Sequence, residues 1–373
     1  MSKLFKACIG LLLISLACNT PNDNLVNCDF DQPAMLTNYA DEIIIPRFAD
    51  LEIGMLFLEG SFNAFEDNPT IGLMNEIKVS FGAVYTSYQD CSPFGFGPGL
   101  INGVSFRARF STFPTNTSVI NSNILSGVDV SASPASTVGF PAIDYLLFGE
   151  PGMTDAQVFE LFTTDANAAN RRAYLGQLIT EMKTITEQIN ADWGSYRSTF
   201  IANTGNSAGS SLSLLVNEFN YDFETLKNFK FKIPLGKFNG GVVLPETVEA
   251  YYAGGSVQLA TRQTSAMKRL FLGVGENGAD GLGLYEYTLC VKPLTENEQN
   301  QGLVTLADDI SEQFIEIETA LELVPDPLSE TLQNNKPLVD EAHTQMQMMV
   351  PLIKHEMTSA LGVQISYQDN DGD

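Results

Sequence analysis

Residues 36–65 read LTNYADEIIIPRFADLEIGMLFLEGSFNAF, and the spacing of their apolar members separates helix from strand. Leu36, Tyr39, Ile43, Leu51, Met55, Leu58, Phe62 and Phe65 fall three or four apart except at one skipped turn, which is one stripe of a long helix. Arg47 occupies the skipped place. Pro46 beside it lacks an N–H and crowds the preceding turn, so a kink is expected there. A guanidinium on an apolar stripe must be paired or line a wet cleft, with Asp144 or Glu249 as expected partner; the alternative is a rim position with the head snorkelling to water.

The same period recurs downstream. Met74, Ile77, Phe81, Val84 and Tyr88 mark a second helix, and the pattern then stops from about Cys91 to Gly139, where Gly, Ser, Thr, Asn and Pro dominate. Inside that irregular insertion Phe106–Phe110 reads as a short strand with Arg107 and Arg109 on one face. Helical period resumes after the capping-box pattern Thr154–Gln157 and again through Leu175, Leu178, Met182, Ile185, Ile189 and Trp193. The Gly-, Ser- and Asn-rich segment 202–211 follows neither period and is read as a boundary. Beyond it come a stripe from Leu212 to Leu226, turns around Pro234 and Asn239, and a helix expected to start at Pro245, where Gly254-Gly255 either breaks it or lets a neighbouring backbone approach closely. A long helix is predicted from the box Thr295–Glu298 with Leu303, Leu306, Ile310, Phe314, Ile317 and Leu321 on one stripe. The last runs through Val339, Ala342, Met346, Met349, Ile353 and Met357, with a kink at Pro351; its methionines are read as core. Such amphipathic helices need partners, so the expected fold is all-α: two helical-bundle domains, residues 32–203 and 204–373.

The beginning of the chain reads as an export signal. Lys3 and Lys6 precede the apolar stretch Ala7–Ala17, too short to span a bilayer, which ends in Ser15-Leu16-Ala17-Cys18. This predicts a signal peptide over residues 1–17, lipidation of Cys18, and a lipidated tether over residues 18–31, although Ser15 stands where Leu is commonest in such boxes. Ordinary cleavage nearby, leaving Cys18 a free thiol, is the alternative. The protein is thus expected to be extracytoplasmic, lipid-anchored to a bacterial membrane on its periplasmic side or at the cell surface.

Lys and Arg total 20 against 45 Asp and Glu, a net charge of −25 that repels phosphate backbones and argues against nucleic acid as a partner. Metal ions, small ligands and a basic protein surface remain open. Besides Cys18, Cys28, Cys91 and Cys290 follow the signal, an odd number without C-x-x-C spacing, so at most one bridge forms and its pairing is undetermined. With two histidines in the chain there is no zinc-finger pattern.

Catalytic templates give negatives. His343 and His355 sit on different helix faces, no H-E-x-x-H or G-x-S-x-G occurs, and Gly273–Gly281 lacks the ending of a phosphate loop and reads as a linker. The terminal Asp369–Asp373 lacks the glutamate of a calcium loop and reads as a charged tail.

One segment stands out, Gly139-Phe140-Pro141-Ala142-Ile143-Asp144-Tyr145-Leu146-Leu147-Phe148-Gly149, which opens an apolar helix after the insertion. Here the chain resembles the imelysin-like family, which carries G-x-H-x-x-E followed by an apolar helix at this place. Ile44–Arg47, Phe113-Pro114, Leu215–Asn217, Ile233–Gly236, Val248–Tyr252, Leu361–Val363 and Asp371–Asp373 extend the resemblance over nearly the whole mature chain. It implies two helical bundles with a cleft between them. The family includes a secreted metal-dependent peptidase and iron-regulated lipoproteins tied to bacterial iron uptake.

Pro141 replaces the motif histidine and Asp144 its glutamate. Proline offers no ligand atom, so metallopeptidase chemistry at this spot loses its first ligand. Pro141 instead suits the first position of a helix and Asp144 its first turn, where the dipole favours a carboxylate; a binding role for Asp144 is the alternative. The candidate ligand-binding residues are Arg47, Pro141, Asp144, Glu249, Tyr252 and Arg262, with no catalytic residue assigned and the metal unknown. The resemblance admits iron and disfavours zinc. The expected function is a non-catalytic binding lipoprotein of an iron-uptake system, with a protein partner in that system admissible. The rivals are a peptidase using displaced ligands, which needs His343 or His355 in the cleft, and a partner-binding scaffold working through residues 91–139.

Overall fold

The computed structural model describes residues 28–127 and 129–366. The expected export signal, Cys18, most of the expected tether and the Asp369–Asp373 segment read as a tail lie outside the described residues.

The chain is helical, as its periodicity predicts. Helix α1, Gln32–Asn38, is capped by the Asp31 carboxylate on the Ala34 amide at 3.0 Å. A π-helical turn, Tyr39–Ile44, joins it to α2, Ile45–Asp67. The irregularity expected at Pro46 thus takes the form of a widened turn just before it, where the ladder loses a donor. Every apolar residue of the quoted stripe is buried, and so is Arg47. Helix α3, Ile71–Cys91, packs along α2.

The insertion is not irregular throughout. It holds a two-stranded hairpin, β1 Leu100–Ile101 and β2 Val104–Ser105, then α4, Arg107–Phe110, and α5, Thr117–Ser126. Phe94, Phe96, Phe106, Phe110, Ile120 and Ile124 fix it to the core. The strand expected at Phe106–Phe110 is a helical turn instead. A strand would aim both arginines at one face, whereas this turn sends Arg107 to Glu218 and Arg109 to Glu181.

Helix α6 is Gly139–Phe148, α7 Asp155–Thr163 with its predicted capping box, and α8 Ala168–Ala202, which packs on α2. After the loop at 203–210, α9, Ser211–Glu224, runs into a second π-helical turn, Thr225–Lys232. The helix expected from Pro245 is absent: a single 3₁₀ turn, Pro245–Thr247, is followed by turns, and α10 begins only at Ser256, ending at Leu272. Ala250, at φ 50°, and Gly254, at φ 76°, leave the right-handed region and interrupt any helix there. The first amides of α10 are satisfied from a distance, Val257 and Gln258 donating to the Asp326 carboxylate at 2.9 and 3.0 Å.

Helix α11 is Leu284–Val291. The Thr295 box is formed, but it opens only the short α12, Glu296–Asn300; Gly302, at φ 71°, separates this from α13, Leu306–Glu322, which has its own Thr305 cap. Leu303 is therefore 51% exposed rather than core, while Leu306 to Leu321 bury their stripe as expected. Helices α14, Leu328–Asn334, and α15, Lys336–Val350, lead into a third π-helical turn, Pro351–Met357, and α16, Thr358–Leu361. Met346, Met349 and Met357 are core.

Helices α2, α3 and α8 pack together, as do α10, α13 and α15, and α10 also lies against α3, bringing the two halves of the sequence into contact. Cys28 and Cys290 form a disulfide that ties the chain before α1 to α11; Cys91 is buried and free.

Candidate functional site

The junction is built around two of the segments that carry the family resemblance, 139–149 and 248–252. At the start of α6, Gly139 takes φ 73° with the carbonyl oxygens of Phe110 and Arg109 so close that a Cβ would lie 2.3 and 2.5 Å from them. Only glycine fits there. Pro141 is the third helical residue rather than the first, still within the turn whose amides have no intrahelical partner. Asp144 is the sixth, beyond the first turn, so dipole stabilisation does not account for it. Its buried carboxylate instead accepts from the backbone amides of Tyr252 at 3.0 Å and Ala253 at 2.9 Å. Asp144 thus clasps the turn that stands where the second-half helix was expected. Burial pushes its carboxyl up to about 7, against the two amide bonds that favour the charged form. Tyr252 meets Asp144 through its backbone; its ring packs on Tyr145 and Tyr251, each at 5.1 Å between centroids.

The clasped turn aims Glu249 inward. One carboxylate oxygen accepts from the Tyr85 hydroxyl at 3.0 Å, the Ser111 hydroxyl at 3.1 Å and the Gln89 amide at 3.4 Å. The other faces the Lys230 ammonium at 2.5 Å. Lys230, itself buried, also donates to Gln89 Oε1 at 2.8 Å. A charge pair out of water is tolerated where its remaining polar atoms are satisfied in this way.

Beside the pair lies a pocket of about 330 Å³, with Asp222, Gln263, Lys230 and Glu249 among its polar lining and Tyr88 and Phe229 among its walls. Asp222 is 1% exposed. Its Oδ2 accepts from Ser92 Oγ at 3.1 Å and Gln263 Nε2 at 2.8 Å, whereas its Oδ1 and Gln263 Oε1 have no hydrogen-bond partner among the described residues. Burial raises the Asp222 carboxyl, and the nearby Arg107 guanidinium opposes that. A second pocket of about 300 Å³ is lined by Pro141, Asp144, Tyr251, Tyr252 and the Phe113-Pro114 segment.

Arg47 and Arg262 belong elsewhere. Arg47 pairs with neither Asp144 nor Glu249: its Nε meets Glu276 at 2.8 Å, and its other nitrogens donate to the carbonyls of Asp90 and Ala266 at 3.1 and 3.2 Å. Arg262 holds Asp90 at 2.5 Å, and Arg269 holds Glu276 at 2.8 Å. Against its partial burial, these neighbours keep the Glu276 carboxyl below its usual range. The cluster welds α2, α3 and α10 to the 273–281 loop, which is more than a linker; neither arginine lines either pocket. Neither histidine does so. His343 is buried on α15 and pushed down to about 4 by burial, with Lys237, Lys227 and Lys232 adding to it; His355 is exposed.

Six site residues thus divide: Pro141, Asp144, Glu249 and Tyr252 come together, Arg47 and Arg262 form a separate cluster. Lys230, Asp222, Gln89, Ser111 and Gln263 were not singled out by the sequence. Asp222 and Lys230 did carry a signal, because with Leu215, Phe219 and Leu226 they occupy successive places on one helical stripe, as Arg47 does on its own.

A helical protein with a buried ion pair and two small pockets where its halves meet is the class that fold and site define. The imelysin family profile matches residues 44–346, and the chain belongs to that family. Its fold is similar to that of a crystal structure described as an iron-regulated protein A precursor from Parabacteroides distasonis ATCC 8503, with a TM-score of 0.71, 16% identity, and coverage of 89% of this chain and 95% of that one. An imelysin-like protein from Psychrobacter arcticum 273-4 superposes with a TM-score of 0.67 at 16% identity, over 90% of this chain and 97% of that one. No curated protein matches the sequence. Among the described residues no helix is long and apolar enough to cross a membrane.

Proposed function

We propose that this imelysin-family protein is a non-catalytic binding protein, exported, anchored by lipid on Cys18, and serving iron uptake with its binding site at the Glu249–Lys230–Asp222 pocket between two bundles, 32–203 and 204–373. The observation that carries the non-catalytic reading is the use to which the motif is put. Pro141 holds the place of the motif histidine, and the Asp144 carboxylate is taken up by two backbone amides. A metallopeptidase centre needs free ligand atoms and an open coordination position. The Cys28–Cys290 disulfide supports an oxidising, extracytoplasmic setting. The name of the Parabacteroides neighbour supports iron as the setting; carboxylate and tyrosine oxygens suit a hard ferric ion without histidine.

The test is calorimetric titration of metal-stripped protein with ferric, ferrous and zinc ions, alongside Glu249→Ala and Asp144→Ala. Ferric binding lost in Glu249→Ala supports the reading; tight zinc binding with peptide hydrolysis refutes it in favour of displaced-ligand catalysis. Mass spectrometry of the mature N-terminus, with Cys18→Ser as control, tests the anchor. A second reading, partner binding through the insertion, is favoured by a groove of about 1030 Å³ lined by Ile101, Val104, Val130 and Ile185, with Leu100 and Val104 exposed beside it.

A further inference from the structure

We propose that the 330 Å³ pocket takes the primary ammonium group of a small organic amine, seated on Asp222. This rests on the reading of that pocket as the binding site and names the chemistry of its ligand. Lys230 is neutralised by Glu249 at 2.5 Å. Arg107 is neutralised by Glu218, donates to the Ser92 carbonyl at 2.6 Å and lies over the Tyr221 ring at 4.6 Å. Asp222 is left as the lining's one acid without an ion pair, its Oδ2 held only by the neutral Ser92 and Gln263 side chains.

The free polar atoms of the lining have one predominant character. Among the described residues Asp222 Oδ1, Gln263 Oε1 and Ser105 Oγ are buried without a hydrogen-bond partner and all three can accept; Arg107 Nε is a donor only, and the Ser105 hydroxyl can donate as well. An anionic ligand would set its oxygens against the Asp222 carboxylate and the Gln263 carbonyl oxygen, with Arg107 Nε and the Ser105 hydroxyl to donate in return. A primary ammonium brings three N–H donors and a positive charge to three acceptors, one of them a carboxylate without an ion pair of its own. The walls then suit the hydrocarbon part: Tyr88, Phe113 and Phe229 present aromatic surface, with Val104 and Ala108 completing it. The volume is that of a site for a small molecule rather than a folded partner.

The test uses the mature full-length chain and three ligands of one shape: benzylamine, benzyl alcohol and benzoate, titrated by calorimetry, with ferric ion titrated in parallel. Benzylamine is expected to bind at least about tenfold more tightly than benzyl alcohol, the equivalent of about 1.4 kcal/mol, and benzoate more weakly than either. Asp222→Asn should bring benzylamine down to the level of the alcohol. Phe229→Ala, at a half-exposed position whose truncation leaves the core intact, should weaken benzylamine binding severalfold even if the Asp222 variant fails to fold. Equal affinity for amine and alcohol, no binding of the amine, or unchanged binding in Phe229→Ala would overturn the proposal. Ferric binding without amine binding removes this inference alone, amine binding without ferric binding removes the iron setting alone, and neither removes both.

Discussion

Lys230→Met is the most exacting perturbation of the junction, because it removes one half of a buried charge pair and leaves the shape of the other. The ammonium faces Glu249 at 2.5 Å with side chains 5% and 1% exposed, so water cannot take its place without opening the structure. Truncating one partner of such a pair costs about 3–5 kcal/mol. Glu249 keeps its bonds from Tyr85, Ser111 and Gln89, which places the expected loss near the lower figure, about 3 kcal/mol. Urea unfolding at pH 7, followed by circular dichroism and tryptophan fluorescence of the buried Trp193, measures it. Adding Glu249→Gln should restore all but about 1 kcal/mol, because the uncompensated charge goes with it. A Lys230→Met variant within 1 kcal/mol of wild type, or a double variant no better than the single, would refute the view that this pair is desolvated and mutually dependent.

Three further outcomes are expected. Asp144 has its folded pKa raised to about 7 from an ordinary value near 4, so its contribution to stability is full below pH 4 and declines as pH rises to about 7; Asp144→Asn should flatten that part of the profile, and Asp144→Ala should release the Tyr252–Ala253 turn, read as faster amide exchange there. His343, held down to about 4 from 6.5, works in the opposite direction: its contribution is present above pH 6.5 and lost as pH falls toward 4, by about 3 kcal/mol in all, and His343→Leu should remove that acid sensitivity in urea melts at pH 7 and pH 4.5. Replacing Cys28 and Cys290 by serine opens a loop of 262 residues and should destabilise by about 5 kcal/mol on the chain-entropy account, with Cys91 reacting with a thiol reagent only after unfolding.

Most of the helical framework was legible because a buried helix must repeat its apolar face every three to four residues whatever it packs against. The stripes of α2, α3, α13 and α15 are buried almost residue for residue as read, and the Thr154 and Thr295 boxes both form. The failures fall where backbone conformation departs from what composition suggests. Nothing in Val248–Ala253 announces that Ala250 will adopt a positive φ, and the turn it makes is held by Asp144, more than a hundred residues away. The insertion looked structureless because its apolar residues are too irregularly spaced for any period, yet they are gathered into the core singly by neighbours distant in sequence.

For the site, the same division holds. Local sequence determined the helical class, the family, the loss of the motif histidine at Pro141, and the suspicion attached to Arg47 and Asp144 as charged groups among apolar ones. Which charges meet was decided only by the tertiary structure: Arg47 goes to Glu276 rather than to Asp144 or Glu249, Glu249 goes to Lys230, and Asp222 forms no ion pair among the described residues, its Oδ2 held by Ser92 and Gln263. The physical reason is range. Helical periodicity is set by contacts within a few residues and is written in the local order of side chains, whereas the partner of a buried charge is chosen by which elements the whole packed core brings within about 3 Å of it.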